Sequence, residues 1–263
     1  MLSLKRKKQI NNSVDFPKVV DAVEADVFSL LERFGFKRYG RTLHRFVSND
    51  ISQVINFQTG MPYQEKSGLM CVNIGIRVPE CVMRDINFKN DKKYYKEYEC
   101  NIRSRLGAIK GKQEAWYDLS RDPKRIASDI TKEITDRVLP VFDVLSSREA
   151  ILQYRKDYPL FDELFSHLRQ LEDSFIYRYI GNEEMAEKSF DEYYRTCVEE
   201  YENKQKEGRK VYLKKGERVV YMGQDITAEK DGYIALYGAS HAHIDYLDEL
   251  KNNWSAQGII KSE

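Results

Sequence analysis

Residues 35–40 read Gly-Phe-Lys-Arg-Tyr-Gly, and the chain continues RTLHRFVSND (41–50), ISQVINFQTG (51–60), MPYQEKSGLM (61–70) and CVNIGIRVP (71–79). Turn residues divide this stretch into runs at Thr42 to Ser48, Gln53 to Gln58 and Leu69 to Val78. The last two runs alternate. Ile55 and Phe57 point one way, and Val54, Asn56 and Gln58 the other. Met70, Val72, Ile74, Ile76 and Val78 oppose Cys71, Asn73, Gly75 and Arg77. A period of two marks strands with one apolar face. Asn49-Asp50 reads as a hairpin turn and Gly60 to Gly68 as a polar loop.

Helical spacing flanks these strands. Asp15 caps and Pro17 opens a helix to Phe34, with Val20, Val23, Val27, Leu30, Leu31 and Phe34 on one face and Gly35 as its stop. The charged, aromatic stretch from Glu80 to Glu97 has no clean period and reads as an excursion. A further strand is expected from Tyr98 to Leu106, with Cys100, Ile102, Ser104 and Leu106 opposing Asn101, Arg103 and Arg105. Asp122-Pro123 opens a second helix, where Ile126, Ile130, Ile134 and Val138 recur every four residues until Pro140 kinks or ends it.

Ser146-Ser147 is the expected boundary, giving an α+β domain at 1–147 and a second part at 148–263. In that part, Pro159 starts a stripe of Leu160, Leu164, Leu168, Leu171, Phe175 and Tyr179. Gly181-Asn182 breaks it, and Ala186, Phe190, Tyr194, Cys197 and Tyr201 form the next. The two make an antiparallel helical hairpin, with Leu168 and Phe190 expected in one buried cluster. Val211 to Leu213 and Val219 to Met222 flank Lys214-Lys215-Gly216-Glu217 as a β-hairpin. Tyr233 to Tyr237 is a short strand, and Ser240 caps a last helix.

Composition narrows the functional classes. The 263 residues are 41% hydrophobic and 32% charged, with a net charge of +1. That balance argues against bulk attraction to nucleic acid or anionic membranes, and leaves room for a local basic patch. The basic run Lys5 to Lys8 lacks the apolar stretch of a secretory signal, and no run approaches a membrane span. A cytoplasmic protein is expected. Cys71, Cys81, Cys100 and Cys197 are dispersed and read as reduced, mostly buried thiols. His241-Ala242-His243, with Asp245 beyond, lies at a helix start, where residues two apart diverge. No metal site, cofactor motif or nucleophile–base pair is expected.

The polar face of the strands carries the sharpest expectation. Asn56, Gln58, Asn73, Arg77, Arg103 and Arg105 should share one sheet face, and Trp116 can wall it. Planar amides and guanidinium forks can bind a carboxylate, a phosphate or a peptide backbone. The plain alternative is a solvated face, as an antiparallel sheet with helices on one side allows.

Several motifs occur in a familiar order: Gly35-Phe36, Gly40-Arg41-Thr42, Asn56-Phe57-Gln58, Val72-Asn73-Ile74-Gly75, Arg105-Leu106-Gly107 and Trp116-Tyr117. Together they resemble the bacterial domain-of-unknown-function family numbered four-three-zero-four, over about the first 145 residues. The family pattern usually has a tryptophan pair where this chain has Trp116-Tyr117. The resemblance implies an α+β domain and no established activity.

The expected architecture is therefore α+β. An antiparallel sheet packs on helices, and an antiparallel helical hairpin and a small β-hairpin region follow. The expected function is a non-enzymatic binding protein, immunity- or accessory-like, that holds another protein on the polar sheet face or the helical hairpin. The second reading is an enzyme acting on a small anionic molecule held by the sheet arginines. The third reading is a nucleic-acid binder using the basic tail and the Tyr94–Tyr95 region, with any such binding expected to be weak and driven by the lysine tail from Met1 to Gln9.

Overall fold

The computed structural model describes residues 15–48, 50–60, 68–84, 92–109, 116–161, 166–221 and 224–256. The chain divides into two compact units, Met1–Arg169 and Gln170–Glu263.

The first unit opens with α1, Phe16–Leu31. Its cap is Asp15, whose side chain accepts from the Lys18 amide. Val20, Val23, Val27 and Leu31 are buried, whereas Leu30 and Phe34, counted with that stripe, are exposed. Gly35 ends the following turn with φ +84°, a conformation that suits glycine.

The strands follow as β1 (Lys37–Tyr39), β2 (Thr42–Val47), β3 (Ile51–Thr59), β4 (Leu69–Arg77), β5 (Ile102–Arg105) and β6 (Tyr117–Asp118). They form one antiparallel sheet in the order β1-β2-β3-β4-β5, with β6 on the free end of β4. Sequence periodicity missed β1 and β6, which are too short to show a period. The strand expected at Tyr98–Leu106 begins only at Ile102. Before it, Glu97–Glu99 makes a tight turn in which Glu99 reaches back to the Lys96 amide at 2.9 Å. Of the expected hairpin turn and polar loop, Asn49 and residues 61–67 lie outside the described residues.

Leu106–Ile109 forms the single turn α2, and α3 (Pro123–Glu133) starts behind the Asp122 cap. A wide π-helical turn, Ile134–Val138, leads into α4, Leu139–Val144. Pro140 has no N–H for residue 136, and the wide turn absorbs that defect so that the helix runs on. Ile126, Ile130, Ile134, Val138 and Phe142 are all fully buried. α1 packs against α3 and meets β3, and the apolar sheet face buries Leu43, Ile55, Ile74 and Ile76.

α5, Arg148–Tyr154, lies past the expected boundary yet inside the first unit. Arg148 ties it there by ion pairs to Glu80 at 2.7 Å and Asp50 at 2.9 Å.

The second unit holds α6 (Arg169–Tyr179) and α7 (Glu183–Glu207), joined through Gly181 and the Asn182 cap. This is the expected hairpin with a shorter first arm. The chain at 159–161 and 166–168 makes tight turns, so the stripe from Leu160 is not one helix. Leu164, counted in that stripe, lies outside the described residues. Leu168 is only half-buried and precedes α6, while Phe190 is 2% exposed. The cluster expected between them is corrected to Leu171, Phe175 and Ile176 on α6 and Ala186, Phe190 and Tyr193 on α7 as the buried residues.

The β-hairpin expected across residues 214–217 is also corrected. β7 (Arg209–Leu213) pairs with β10 (Gly232–Leu236), and β8 (Arg218–Tyr221) pairs with β9 (Gln224–Thr227). The two ladders nest. Residues 214–217 and 228–231 interrupt one long ribbon, with Gly216 and Glu217 bonding Ala228 across the gap. α8, Ala242–Ala256, follows Ser240, whose hydroxyl accepts from the Ala242 amide. Ile244 and Leu247 on it are buried.

Candidate functional site

Directly opposed residues of an antiparallel ladder share a face. Thr42 opposes Asn56, Asn56 opposes Asn73, and Asn73 opposes Arg105, so these four form a row. Gln58 and Cys71 make the row on one side of it. On the other side lie His44, Val54, Gly75 and Arg103, then Phe46, Ser52 and Arg77. Asn56, Gln58, Asn73, Arg77, Arg103 and Arg105 therefore share one face. Ile55, Phe57, Val72, Ile74 and Ile102 take the other.

The Arg77 end of this face is covered. Tyr95 lies flat over Arg77, with the guanidinium carbon 3.7 Å from the ring centroid. Tyr94 stacks on Tyr39 at 4.4 Å. Glu97 accepts from Arg103 Nε at 2.6 Å, and Lys92 pairs with Glu99. Gly75 permits the closest approach, because a Cβ there would lie 2.6 Å from Cys100 Sγ. Residues 92–101 thus form a strap across the sheet, and Arg77 is 1% exposed. Arg77 and Arg103 are engaged within the molecule rather than presented outward.

Electrostatics under the strap follow from burial. His44 is held down to about 4, first by desolvation and then by the positive charge of Arg77. Its Nε2 has no hydrogen-bond partner among the described residues. Burial pulls Arg77 below the usual arginine range and pushes the Cys100 thiol up, which makes that thiol a poor nucleophile.

The opposite end is more open. Gln58 is exposed, and Asn56, Arg105 and Trp116 are half-buried. Asn73 is buried and donates to Gln58 Oε1 at 2.8 Å. Asn56 Nδ2 donates to Thr42 Oγ1 at 3.0 Å and to the Arg41 carbonyl at 3.1 Å. These bonds hold the two amides, and among the described residues Asn56 Oδ1 and Gln58 Nε2 have no hydrogen-bond partner. The Trp116 ring lies 6.0 Å from the Arg105 guanidinium carbon. The expected set is therefore split: Asn56, Gln58, Asn73, Arg105 and Trp116 at one end, Arg77 and Arg103 beneath the strap.

Sequence reasoning missed Tyr95, Glu97 and Cys100 as covering residues. The available signal was Gly75, a glycine inside a strand, which marks close approach by another segment.

The histidine pair is separated as helical geometry requires. His241 Nδ1 bonds Asp245 at 2.7 Å, four residues on, while His243 Nε2 meets the Tyr193 hydroxyl at 3.1 Å. Among the described residues no group of three His, Cys, Asp or Glu side chains is placed to hold a metal ion.

Residues 27–144 match a family described as a domain of unknown function, DUF4304. Over those residues the first unit is similar to that family, as the motif order had suggested. No curated protein and no solved structure matches the chain.

Proposed function

We propose that the first unit is a non-enzymatic binding module that holds another protein on the open end of its polar sheet face. The observation that carries this reading is the fixed amide pair. Asn56 and Gln58 sit two residues apart on one strand, each locked by an internal hydrogen bond. These bonds use the Asn56 amide nitrogen and the Gln58 amide oxygen, which leaves an acceptor on the first and a donor on the second. A peptide group has the complementary pair. Trp116 adds an apolar wall beside them. The protein class that fits is a bacterial immunity or accessory protein that occludes its partner. A cytoplasmic setting suits the four free cysteines, of which Cys71, Cys81 and Cys100 are buried. Among the described residues no helix is long and apolar enough to cross a membrane.

The enzyme reading loses support from the strap. The anionic ligand it invoked was to be held by the sheet arginines, but Arg103 is already paired with Glu97 and Arg77 lies under Tyr95. The test is site-specific photocrosslinking in the native host. A photoreactive residue at Gln58 should yield a discrete adduct with one protein. The same residue at Ser128, exposed on α3, should not. Equal labelling at both positions, or none at Gln58, overturns the reading.

A further inference from the structure

The second unit carries a cluster of exposed tyrosines. Tyr212 on β7 opposes Tyr233 on β10, and their rings meet edge to face at 5.3 Å. Tyr212 is 50% exposed, Tyr233 76%, and Tyr237, just past β10, 63%. The opposite ribbon face carries Val211, Leu213, Ile234 and Leu236, which are half-buried or buried. The tyrosines therefore point to solvent because the other face is the packed one. Lys210, opposite Ala235, shares the tyrosine face, and Lys214 and Lys215 follow at the end of β7.

The charge on this ribbon is unbalanced in a particular way. Six cations stand against four carboxylates over residues 209–236, and two of those carboxylates are held by backbone amides and keep their charge. Glu217 accepts from the Lys214 amide at 2.9 Å, Asp231 accepts from the Lys215 amide at 2.7 Å, and Asp225 pairs with Arg218. Glu229 is left over. Arg209, Lys210, Lys214, Lys215 and Lys230 have no ion-pair partner among the described residues. Unpaired cations around exposed flat rings complement a polyanion with flat bases. A protein partner fits less well, because lysine is depleted at protein interfaces even where tyrosine is enriched. A duplex fits less well too, because its bases are already stacked.

We propose that the tyrosine face of β7 and β10 binds single-stranded nucleic acid. Tyr212 and Tyr233 stack bases, and Lys210, Lys214 and Lys215 take backbone phosphates. The near-neutral total charge gives no long-range attraction, so binding is local and falls steeply with salt. This inference concerns a different unit from the amide face and stands apart from it.

The test is fluorescence anisotropy of the full chain with a labelled oligothymidylate of about 12 nucleotides, at about 50 and 200 mM salt. The wild type should bind, more weakly at the higher salt. Tyr212→Ala with Tyr233→Ala should weaken binding by about tenfold or more, the scale of losing base stacking. Tyr212→Phe with Tyr233→Phe keeps the rings and should bind as the wild type. Lys210→Ala with Lys214→Ala should weaken binding and flatten its salt dependence, and serves alone if the alanine pair at the tyrosines fails to fold. Deletion of Met1 to Gln9 should leave most of the affinity. The proposal is overturned by no binding at either salt, by unchanged affinity in both ribbon variants, or by loss of all binding on deleting the tail. It is equally overturned if the tyrosine variants only convert a dimer to a monomer, since the occupant is then a second copy.

Discussion

The two ends of the polar sheet face began from the same pattern and met different fates. At one end Arg77, Arg103 and His44 lie under the strap of residues 92–101. At the other Gln58 is exposed and Arg105 and Trp116 are half-buried. Alternation assigns side chains to a face, but does not say what lies above that face. What decides is a neighbouring segment with no period of its own, which bridges the sheet through Tyr94, Tyr95, Glu97 and Cys100. Polar side chains can therefore mark a second buried layer as readily as a binding surface, and only the partners of each one separate the two.

The comparison breaks most easily at Tyr95, which is 3% exposed and covers Arg77. Tyr95→Ala should cost about 3–5 kcal/mol, the scale of deleting a buried aromatic ring. Urea denaturation measures it. A loss below about 1 kcal/mol would mean that the strap rests on the sheet without stabilising it.

Acid should attack the same end. His44 is held at about 4 in the folded chain and titrates near 6.5 when unfolded. Between those values the unfolded state binds more protons, so stability rises with pH there. The contribution is complete above about pH 7 and is lost as pH falls through 6.5 toward 4, about 3 kcal/mol in all. His44→Phe should remove that part of the slope while the carboxylate contributions remain. Parallel stability–pH curves for the two proteins would show that His44 is not the neutral buried group described.

Gly75 gives a smaller, sharper probe. A methyl group there meets Cys100 Sγ at 2.6 Å and Cys100 Cβ at 2.7 Å, so Gly75→Ala must push the strap away. The expected cost is about 1–3 kcal/mol. Cys100→Gly in the same chain should recover part of it, because the two sites share one contact. Simple additivity of the two substitutions would place the strain elsewhere.

Much of the first unit was legible because its signals are local. The Asp15 and Asp122 caps, the Gly35 stop, the four-residue spacing from Ile126 and the face assignments on β3, β4 and β5 all depend on residues near in sequence. The features that were not legible depend on distant partners. Arg148 draws α5 into the first unit through Glu80 and Asp50. The turn residues at 214–217 suit a hairpin between adjacent strands, but β7 pairs instead with β10. That register sets Val211 against Ile234 on the packed face. Helical spacing from Leu160 was real in the sequence, yet residues 159–161 and 166–168 make tight turns, and α6 starts only at Arg169.

The open end should respond least of all. Gln58 is exposed, and its main internal contact is as acceptor for Asn73 Nδ2. In Gln58→Ala, water can replace that acceptor, because the shortened side chain opens the route from solvent to the buried amide. The net worth of one such bond is about 1 kcal/mol when water is excluded, and less when it is admitted. Gln58→Ala should therefore shift stability by no more than about 0.5 kcal/mol. Arg103→Ala should cost several times as much, since Glu97 is 6% exposed and loses the cation beside it. Both values come from one set of urea melts. If Gln58→Ala costs as much as Arg103→Ala, the two ends of the face are equally closed, and the amide pair is part of the core rather than a surface for a partner.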